Sequence, residues 1–378
     1  MQQIKILHIA NDYTGSKVYN NIVKNIDRLE ITQLVYTPIR HIGQIGKNNV
    51  DFRRKESRIY YQNILSLGDR LFFNKKIKKI VKNIEVLIQL NEVSLIHAHT
   101  WFSDGGVAYE LFKKYNIPYI VAVRNTDLNL FFKYMIHLRR YGVEILINAQ
   151  KIIFISPIYK ERLFAKESIA SIKNILDLKS IVIPNGIDSF WLNNAQQHKI
   201  LNRENVNLLF IGKFTKSKNV LRLIKAVEQL NIDGIKCHLH MVGGGGNEEK
   251  CIFEYIKSKN DFTFHGKILD RGKLMSIYQI CDIYTMPSKA ETFGLVYIEA
   301  LSQGLPVVYT INEGIYGFYN NSIGEAVNCE SINEIAKGIE KIIKNFENYK
   351  FDIKSIMLNH DWSEIVKIYA SMYKDIIK

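Results

Sequence analysis

The chain has 378 residues, 47% hydrophobic and 23% charged, which is typical of a packed globular protein with about two domains and excludes a disordered chain. Its longest uncharged stretch, residues 300–312, is shorter than the roughly 18 residues of a membrane-spanning helix. The N-terminus lacks the apolar core and cleavage site of a secretory signal, so we expect a cytoplasmic protein.

Short β-branched runs alternate with longer amphipathic stretches along the whole chain, which predicts parallel sheets with helices on both faces. The class is therefore α/β. The runs that we interpret as strands are, in chain order, residues 4–9, 33–36, 95–98, 119–123, 151–155, 181–184, 207–211, 238–242, 263–265, 283–286 and 307–309.

The net charge of +14 is unevenly distributed, since residues 1–188 carry +12 and the remainder carries +2. Residues 47–82 are rich in lysine and arginine, with aromatic residues among them. Such a segment favours an anionic partner, either membrane headgroups or nucleic-acid phosphates. A solvated helix face is the third interpretation, and the sequence leaves all three open.

A turn signal at Asn185-Gly186 and a polar stretch over residues 193–205 indicate a domain boundary in this region. We place the N-terminal domain at residues 1–192 and the second domain at residues 193–355. A final amphipathic helix follows within residues 356–378, with apolar residues at helical spacing.

The usual phosphate-binding motifs are missing from the sequence. Neither G-x-G-x-x-G nor a Walker A sequence occurs, and there is no D-x-D to hold a metal on a pyrophosphate. We therefore expect no metal and no cofactor, and we expect cationic side chains or helix N-termini to neutralise any bound phosphate. A glycine run that starts at Gly243 follows one strand, either as a tight turn or as a ligand contact.

Two segments combine into a candidate ligand site at the carboxyl ends of strands. Lys213 and Lys218 lie in a loop between a strand and a helix. The second segment runs from Glu291 to Glu299. In that segment the backbone amides of Phe293, Gly294 and Leu295 open a predicted helix toward a phosphate, and the two glutamates suit hydrogen bonds to ligand hydroxyls.

The frame E-T-F-G-L-x-x-x-E-A over residues 291–300, followed by G-x-P-V-V, resembles the retaining, nucleotide-sugar-dependent family 4 glycosyltransferases (glycosyl transferases group 1) of the GT-B fold. The segments I-P-N-G-I-D at 183–188, G-K-F-x-x-x-K-N at 212–219 and V-G-G-G at 242–245 extend the resemblance. It covers essentially the whole chain and is most specific over residues 181–310. It implies two Rossmann-like domains facing each other across a cleft, with the C-terminal helix crossing back onto the N-terminal domain.

The resemblance also implies roles for the residues of the candidate site. Lys213 and Lys218 match the basic pair that grips the donor pyrophosphate, and Glu299 matches the carboxylate on the nucleotide ribose. Glu291 matches the carboxylate that holds the transferred sugar, with amides of residues 293–295 nearby. Gly243 belongs to the matching V-G-G-G segment.

Two positions in the first half depart from the family pattern. Gly15 matches the N-terminal glycine-rich loop, although this chain has one glycine there instead of two. Arg124 stands where many members carry a histidine, and arginine cannot act as a base near neutral pH. We interpret Arg124 as a clamp for a phosphate or a sugar acid, with a structural ion pair as the alternative.

These observations predict a retaining, metal-independent glycosyltransferase at the inner face of the cell membrane. Its expected partners are a nucleotide-sugar donor, a saccharide or lipid-linked acceptor of bacterial surface polysaccharide biosynthesis, and an anionic membrane, with no nucleic acid. A GT-B sugar-nucleotide epimerase and a nucleic-acid-binding protein that uses the basic half are the alternatives.

Overall fold

The computed structural model of the protein describes residues 4–70, 72–319 and 321–377. Thirteen strands lie in this part of the chain: β1 Lys5–Ile9, β2 Thr32–Ile39, β3 Arg58–Asn63, β4 Leu95–Ala98, β5 Tyr119–Val123, β6 Lys151–Phe154, β7 Ser180–Val182, β8 Val206–Gly212, β9 Cys237–Gly243, β10 Phe262–Phe264, β11 Ile283–Thr285, β12 Val307–Thr310 and β13 Gly324–Val327.

The helices alternate with these strands. They are α1 Lys17–Asp27, α2 Phe73–Leu87, α3 Ser103–Tyr115, α4 Arg139–Asn148, α5 Pro157–Phe164, α6 Glu167–Ala170, α7 Lys173–Leu178, α8 Ser189–Asn193, α9 Val220–Ile232, α10 Glu249–Ile256, α11 Arg271–Ile280, α12 Leu295–Ser302, α13 Ile332–Lys344, α14 Ile353–Asn359 and α15 Trp362–Ile377. No helix among the described residues is both long and apolar enough to cross a membrane.

The strands form two parallel sheets, as the alternating pattern predicts. The order of the first sheet is β3-β2-β1-β4-β5-β6-β7, and that of the second is β10-β9-β8-β11-β12-β13. In each sheet the strand order reverses beside the first strand, between β1 and β4 and between β8 and β11. Open parallel sheets bind ligands at such a switch point, outside the carboxyl ends of the strands.

Two strands have no counterpart among the runs identified in the sequence. β3 is a partly exposed edge strand that begins within the basic segment, so it lacks the apolar alternation that marks a half-buried strand. β13 is a short edge strand that starts at Gly324 and pairs only with β12. Edge strands need less apolar surface than central strands, and their sequences are correspondingly less distinctive.

The chain divides into two compact units. The first comprises residues up to 155, residues 159–185 and residues from 362 on; the second comprises residues 156–158 and 186–361. The chain passes into the second unit directly after Asn185, at the turn signal, and the stretch at 193–205 lies inside that unit. There the backbone N–H of Gln196 donates to the carbonyl oxygen of Ser302 at 2.8 Å.

Helix α15 belongs to the first unit, where it packs beside α1 on one face of the sheet. Ile365 and Tyr373 are almost fully buried in a cluster that includes Ile6 of β1 and Ile22 of α1. Ile368, which the helical spacing places in the buried stripe, is instead 42% exposed. The apolar stripe is therefore narrower than its sequence pattern indicates.

We expect Ile365→Ala to lower the free energy of unfolding of the first unit by about 2–5 kcal/mol, because it leaves a cavity in this cluster. Ile368→Ala on the same helix is the matched control and should change it by less than about 0.5 kcal/mol. Urea unfolding is followed by fluorescence in a Trp191→Phe background, so that Trp101 and Trp362 report the first unit. Equal effects of the two substitutions would contradict the packing described for α15.

Candidate donor-binding site in the second unit

The candidate site lies at the switch point of the second sheet. The loop 213–219 follows β8, and the loop 286–294 follows β11, which pairs with β8. Because both strands run parallel, the two loops leave the same edge of the sheet as neighbours. All the site residues predicted in residues 213–299 belong to this unit.

Asn219 connects the loops 213–219 and 286–294 through hydrogen bonds. It is buried in the left-handed conformation, with φ of 59°, a region that asparagine tolerates better than most residues. Its Nδ2 donates to the carbonyl oxygens of Pro287 at 3.0 Å and Cys329 at 2.7 Å. The backbone N–H of Lys289 also donates to the carbonyl oxygen of Ser217 at 2.8 Å. Sequence reasoning did not find this role, although an asparagine directly before α9 is a recognisable signal for it.

The side chains of Lys218 and Glu291 form an ion pair across the two loops. Lys218 is 25% exposed and Glu291 is 14% exposed, so the pair is only partly screened by water. Lys213 lies on the same loop with an exposed side chain. The sequence assigned Lys218 and Glu291 to different parts of a ligand, and the structure shows that they contact each other directly.

The backbone around Glu291 is held by a third segment. Its N–H donates to Oε2 of Glu313 at 2.9 Å, and its carbonyl oxygen accepts from the N–H of Gly314 at 3.0 Å. The backbone N–H of Thr292 donates to Oε1 of Glu291 at 3.0 Å. The Glu291 carboxylate therefore has a fixed orientation beside Lys218, and Glu313 is a site residue that the motif analysis missed.

Gly294 makes the entry into helix α12 possible. Its φ is 79°, and a Cβ at this position would lie 2.5 Å from the ring of Tyr297. Leu295 then begins α12, with no side chain capping the helix N-terminus. Phe293 is buried against the rings of Phe318 and His360, which anchors the turn. The predicted strand-to-helix turn at residues 293–295 is present, with helix amides at its end.

Glu299 lies in α12, one turn beyond the helix entry. Burial, and next the negative charge of Asp188, raise the pKa of Glu299 to about 7. Asp188 itself pairs with Arg271 of α11 at 2.5 Å. A carboxyl group with this pKa changes between its protonated and ionised forms near neutral pH. Carboxyl groups with a raised pKa are common at binding sites. Arg271 is a second neighbour of the site that sequence reasoning did not identify.

Gly243 is required by the packing of two strands. Its φ is 127°, and a Cβ there would lie 1.9 Å from the carbonyl oxygen of Gly212, its register partner on β8. Its N–H donates to the carbonyl oxygen of Gly266 at 2.9 Å. These contacts support the interpretation as a tight strand end, and contact with a ligand stays a prediction.

Gly15 and Arg124 belong to the first unit. Gly15 closes a turn in which its N–H donates to the carbonyl oxygen of Asp12 at 3.1 Å, directly before α1. Arg124 is 8% exposed; its Nε donates to the carbonyl oxygen of His99 at 3.2 Å, and its guanidinium lies over the ring of Tyr19. One terminal guanidinium nitrogen is buried without a hydrogen-bond partner. This nitrogen is a donor available to an anionic ligand.

Comparison with solved structures establishes the fold. The structure of sucrose-phosphate synthase from Thermosynechococcus elongatus matches with a TM-score of 0.68 and 17% identity, over 99% of each chain. Because the similarity spans both units and the neighbouring structures are GT-B glycosyltransferases, the predicted GT-B class of two Rossmann-like parallel-sheet domains is confirmed.

Comparison of sequences gives a family-model match to part of the chain and distant relatives over most of it. Residues 193–353 match the family model described as glycosyl transferases group 1. An uncharacterized glycosyltransferase of Methanocaldococcus jannaschii is 27% identical, over 79% of each chain. An uncharacterized 41.2 kDa protein in the cps region of Klebsiella pneumoniae is 23% identical, over 98% of this chain and 99% of its own. The resemblance to glycosyl transferases group 1 is thus confirmed; assignment to family 4 stays a prediction.

The raised pKa of Glu299 predicts a pH-dependent contribution to stability. Because the folded-state pKa of about 7 lies above the ordinary value of 4.5, the folded protein favours the protonated form, and the stability this provides is lost as pH rises through 7. We therefore compare the free energy of unfolding of Glu299→Gln with that of the parent protein at each pH. We expect the difference, variant minus parent, to be roughly 1–3 kcal/mol larger at about pH 8 than at about pH 5.

Urea unfolding without nucleotide at the two pH values measures this gain. Glu254→Gln, at a position 55% exposed in the same unit, is the control and should show no such gain. A Glu299→Gln effect that is equal at both pH values would show that the carboxyl group is not buried as described.

Proposed function

We propose that the protein is a retaining glycosyltransferase that moves a sugar from a nucleotide diphosphate sugar to an acceptor. The observation that carries the proposal is the ion pair of Lys218 and Glu291 beside the entry of α12, at the switch point of the domain that matches the family model. A cation, a carboxylate and helix amides meet there. These are the groups needed for a diphosphate and a sugar.

The donor diphosphate is proposed to bind Lys213, Lys218 and the amides of residues 293–295. The ion pair affects this binding, because a phosphate oxygen that binds the ammonium group of Lys218 competes with the Glu291 carboxylate for that group. Glu291 is then available to accept hydrogen bonds from hydroxyls of the transferred sugar. Glu299, further along α12, accepts hydrogen bonds from the ribose once it is ionised.

Catalysis is proposed to be electrostatic. Negative charge grows on the departing nucleoside diphosphate, and lysine ammonium groups and helix amides already oriented toward it stabilise the transition state. A donor phosphate oxygen takes the proton of the acceptor hydroxyl, which delivers the acceptor to the face that the leaving group occupied and retains the anomeric configuration. The diphosphate is neutralised by cationic side chains, so the donor site is proposed to work without a metal ion.

The acceptor is proposed to be a lipid-linked saccharide of bacterial surface polysaccharide biosynthesis, and the protein to work at the inner face of the cell membrane. Three features support this: the charge of the first half, the unpaired guanidinium nitrogen of Arg124, and the similarity to a protein in a cps region. Arg124 would then clamp a phosphate or sugar acid. The epimerase alternative is disfavoured by the E-x7-E frame, and a nucleic-acid-binding protein would leave the site around Glu291 unused.

The basic segment forms the proposed membrane-binding surface. Along α2, Phe73, Ile77, Ile80 and Ile84 are buried, and Lys75, Lys78 and Lys82 are exposed. Two apolar side chains beside the helix are also exposed: Phe72 by 57% and Leu67 by 76%. Lys76 is an exception to the solvated lysines, because it is buried and donates to Oγ of Ser103 at 2.7 Å. Exposed lysines beside exposed apolar groups suit an anionic bilayer surface.

The donor site is tested by thermal shift with a panel of nucleoside diphosphates and nucleotide sugars, with and without EDTA. We expect nucleotides of one base to raise the melting temperature, and the rise to survive EDTA. Saturation at about 100 times the dissociation constant adds about 2.7 kcal/mol. Glu299→Ala should mainly weaken this binding, whereas Glu291→Ala should mainly lower turnover, measured as release of nucleoside diphosphate. Glu254→Ala is the control.

Unchanged binding and turnover in both variants would refute the site assignment. A folded protein that responds to no nucleotide would favour a binding module. A rise that depends on a divalent cation would refute only the metal-independent part of the proposal.

The membrane surface is tested by sedimentation with anionic vesicles at low salt. We expect binding that is lost at high salt and weakened roughly 100-fold or more by reversing Lys75, Lys78 and Lys82 to glutamate, since each basic residue contributes about 1 kcal/mol. Reversal of the exposed Lys257, Lys337 and Lys350 in the second unit changes the net charge equally and should leave binding nearly intact. Failure of the parent protein to bind would remove membrane contact from the proposal.

A further inference from the structure

Three histidines meet at the switch point of the first sheet. His8 lies on β1 and is the register partner of His97 on the adjacent parallel strand β4. His99 follows two residues later, on the same side of the chain as His97, because side chains alternate along a strand. All three are fully buried. Each offers a ring nitrogen, and the three nitrogens lie within 4.8 Å of one another.

The hydrogen bonds of this histidine cluster leave half of its ring nitrogens unsatisfied. Nδ1 of His8 and Nε2 of His99 are 3.0 Å apart and share a proton, and Nδ1 of His97 is 2.7 Å from the hydroxyl of Tyr373 on α15. Nε2 of His97 and Nδ1 of His99 are buried without a hydrogen-bond partner, and Nε2 of His8 also lacks one at hydrogen-bond geometry, although the side chain of Gln33 interacts with the His8 ring. A buried polar atom without a partner costs about 1–3 kcal/mol, so a ligand that bound these nitrogens would stabilise the folded protein.

The chemistry of the donor set favours a metal ion over another ligand. All three rings are fully buried, and a neutral imidazole keeps one nitrogen lone pair that can bind a metal. Neutral imidazole is a common ligand of zinc and of the neighbouring transition metals. A tetrahedral zinc ion with nitrogen ligands at about 2.0–2.1 Å would draw these rings closer together than 4.8 Å and replace the hydrogen bond between His8 and His99.

Charged side chains near the histidine cluster affect how well it can hold a positive ion. The guanidinium of Arg124 reaches the carbonyl oxygen of His99 and opposes a second cation. The carboxylate of Asp127, buried and hydrogen-bonded to the N–H groups of Trp101, Phe102 and Arg124, offsets that charge. Tyr373 fixes the orientation of the His97 ring, in the way that hydrogen-bonded partners commonly orient metal-ligating histidines.

We propose that His8, His97 and His99 bind a divalent transition-metal ion of the zinc type within the first unit. The ion has three protein ligands and a fourth position open to a small ligand. Through the bond of His97 to Tyr373, it also links β1 and β4 to the C-terminal helix α15. The absence of D-x-D bears only on a metal ion held at a diphosphate in the second unit. A metal ion bound by these histidines lies in the first unit and does not depend on the proposed function.

The test is the metal content of the untagged full chain, produced in zinc-supplemented medium and freed of loose metal by gel filtration. We expect one zinc ion per chain, and Co²⁺ loaded in its place should give the visible absorption of a four-coordinate site. His99→Gln and His8→Gln should each abolish stoichiometric binding. Tyr373→Phe, which keeps all three ligands, should weaken binding about 10–100-fold.

His265→Gln is the matched control, because His265 lies 3.0 Å from His240 in a partly buried histidine pair of the second unit. It should keep the full metal content. A folded parent protein that takes up neither zinc nor cobalt would overturn the proposal even if the variants fail to fold, and would leave the cluster as polar core packing. Equal loss of metal in His265→Gln would also overturn it.

Discussion

Both units depend on one constraint: a central strand pairs in parallel with two strands that follow it in the chain, one on each side. β8 pairs with β9 on one side and β11 on the other, and β1 pairs with β2 and β4 in the same manner. The chain therefore leaves β8 and β11 at the same edge of the second sheet, and β1 and β4 at the same edge of the first. From each pair of strand ends it continues in opposite directions. This geometry opens a space at the carboxyl ends that side chains from distant segments can share.

In the second unit the two segments at this space are made into one site by buried polar contacts. Asn219 accepts a left-handed backbone and uses its amide to hold two carbonyl oxygens of neighbouring loops. The ion pair of Lys218 and Glu291 then spans the same loops. A backbone fixed by buried hydrogen bonds keeps the charged groups in place without a ligand, which reduces the entropy lost on binding.

The first unit, in contrast, has buried polar groups without hydrogen-bond partners at its own switch point. The histidine cluster and the guanidinium of Arg124 lie next to each other through the carbonyl oxygen of His99, and both contain buried nitrogens without partners. Groups of this kind destabilise a protein unless a ligand or function compensates for them. The two sheets thus place their chemistry at equivalent topological positions, although the residues and the proposed ligands differ.

The sequence by itself determined the sheet class, most strands and the turn into α12, because β-branched runs and Gly294 are local patterns. The E-x7-E frame, which is also local, predicted the candidate site residues of the second unit. It did not reveal β3 and β13, which lie at sheet edges, the exposure of Ile368, or the burial of Lys76, because these depend on which neighbours cover a residue. Only the tertiary structure decided that Lys218 contacts Glu291 and that His8 adjoins His97 and His99. Those pairs are far apart in the chain, and strand order and register, which no local pattern encodes, bring them together.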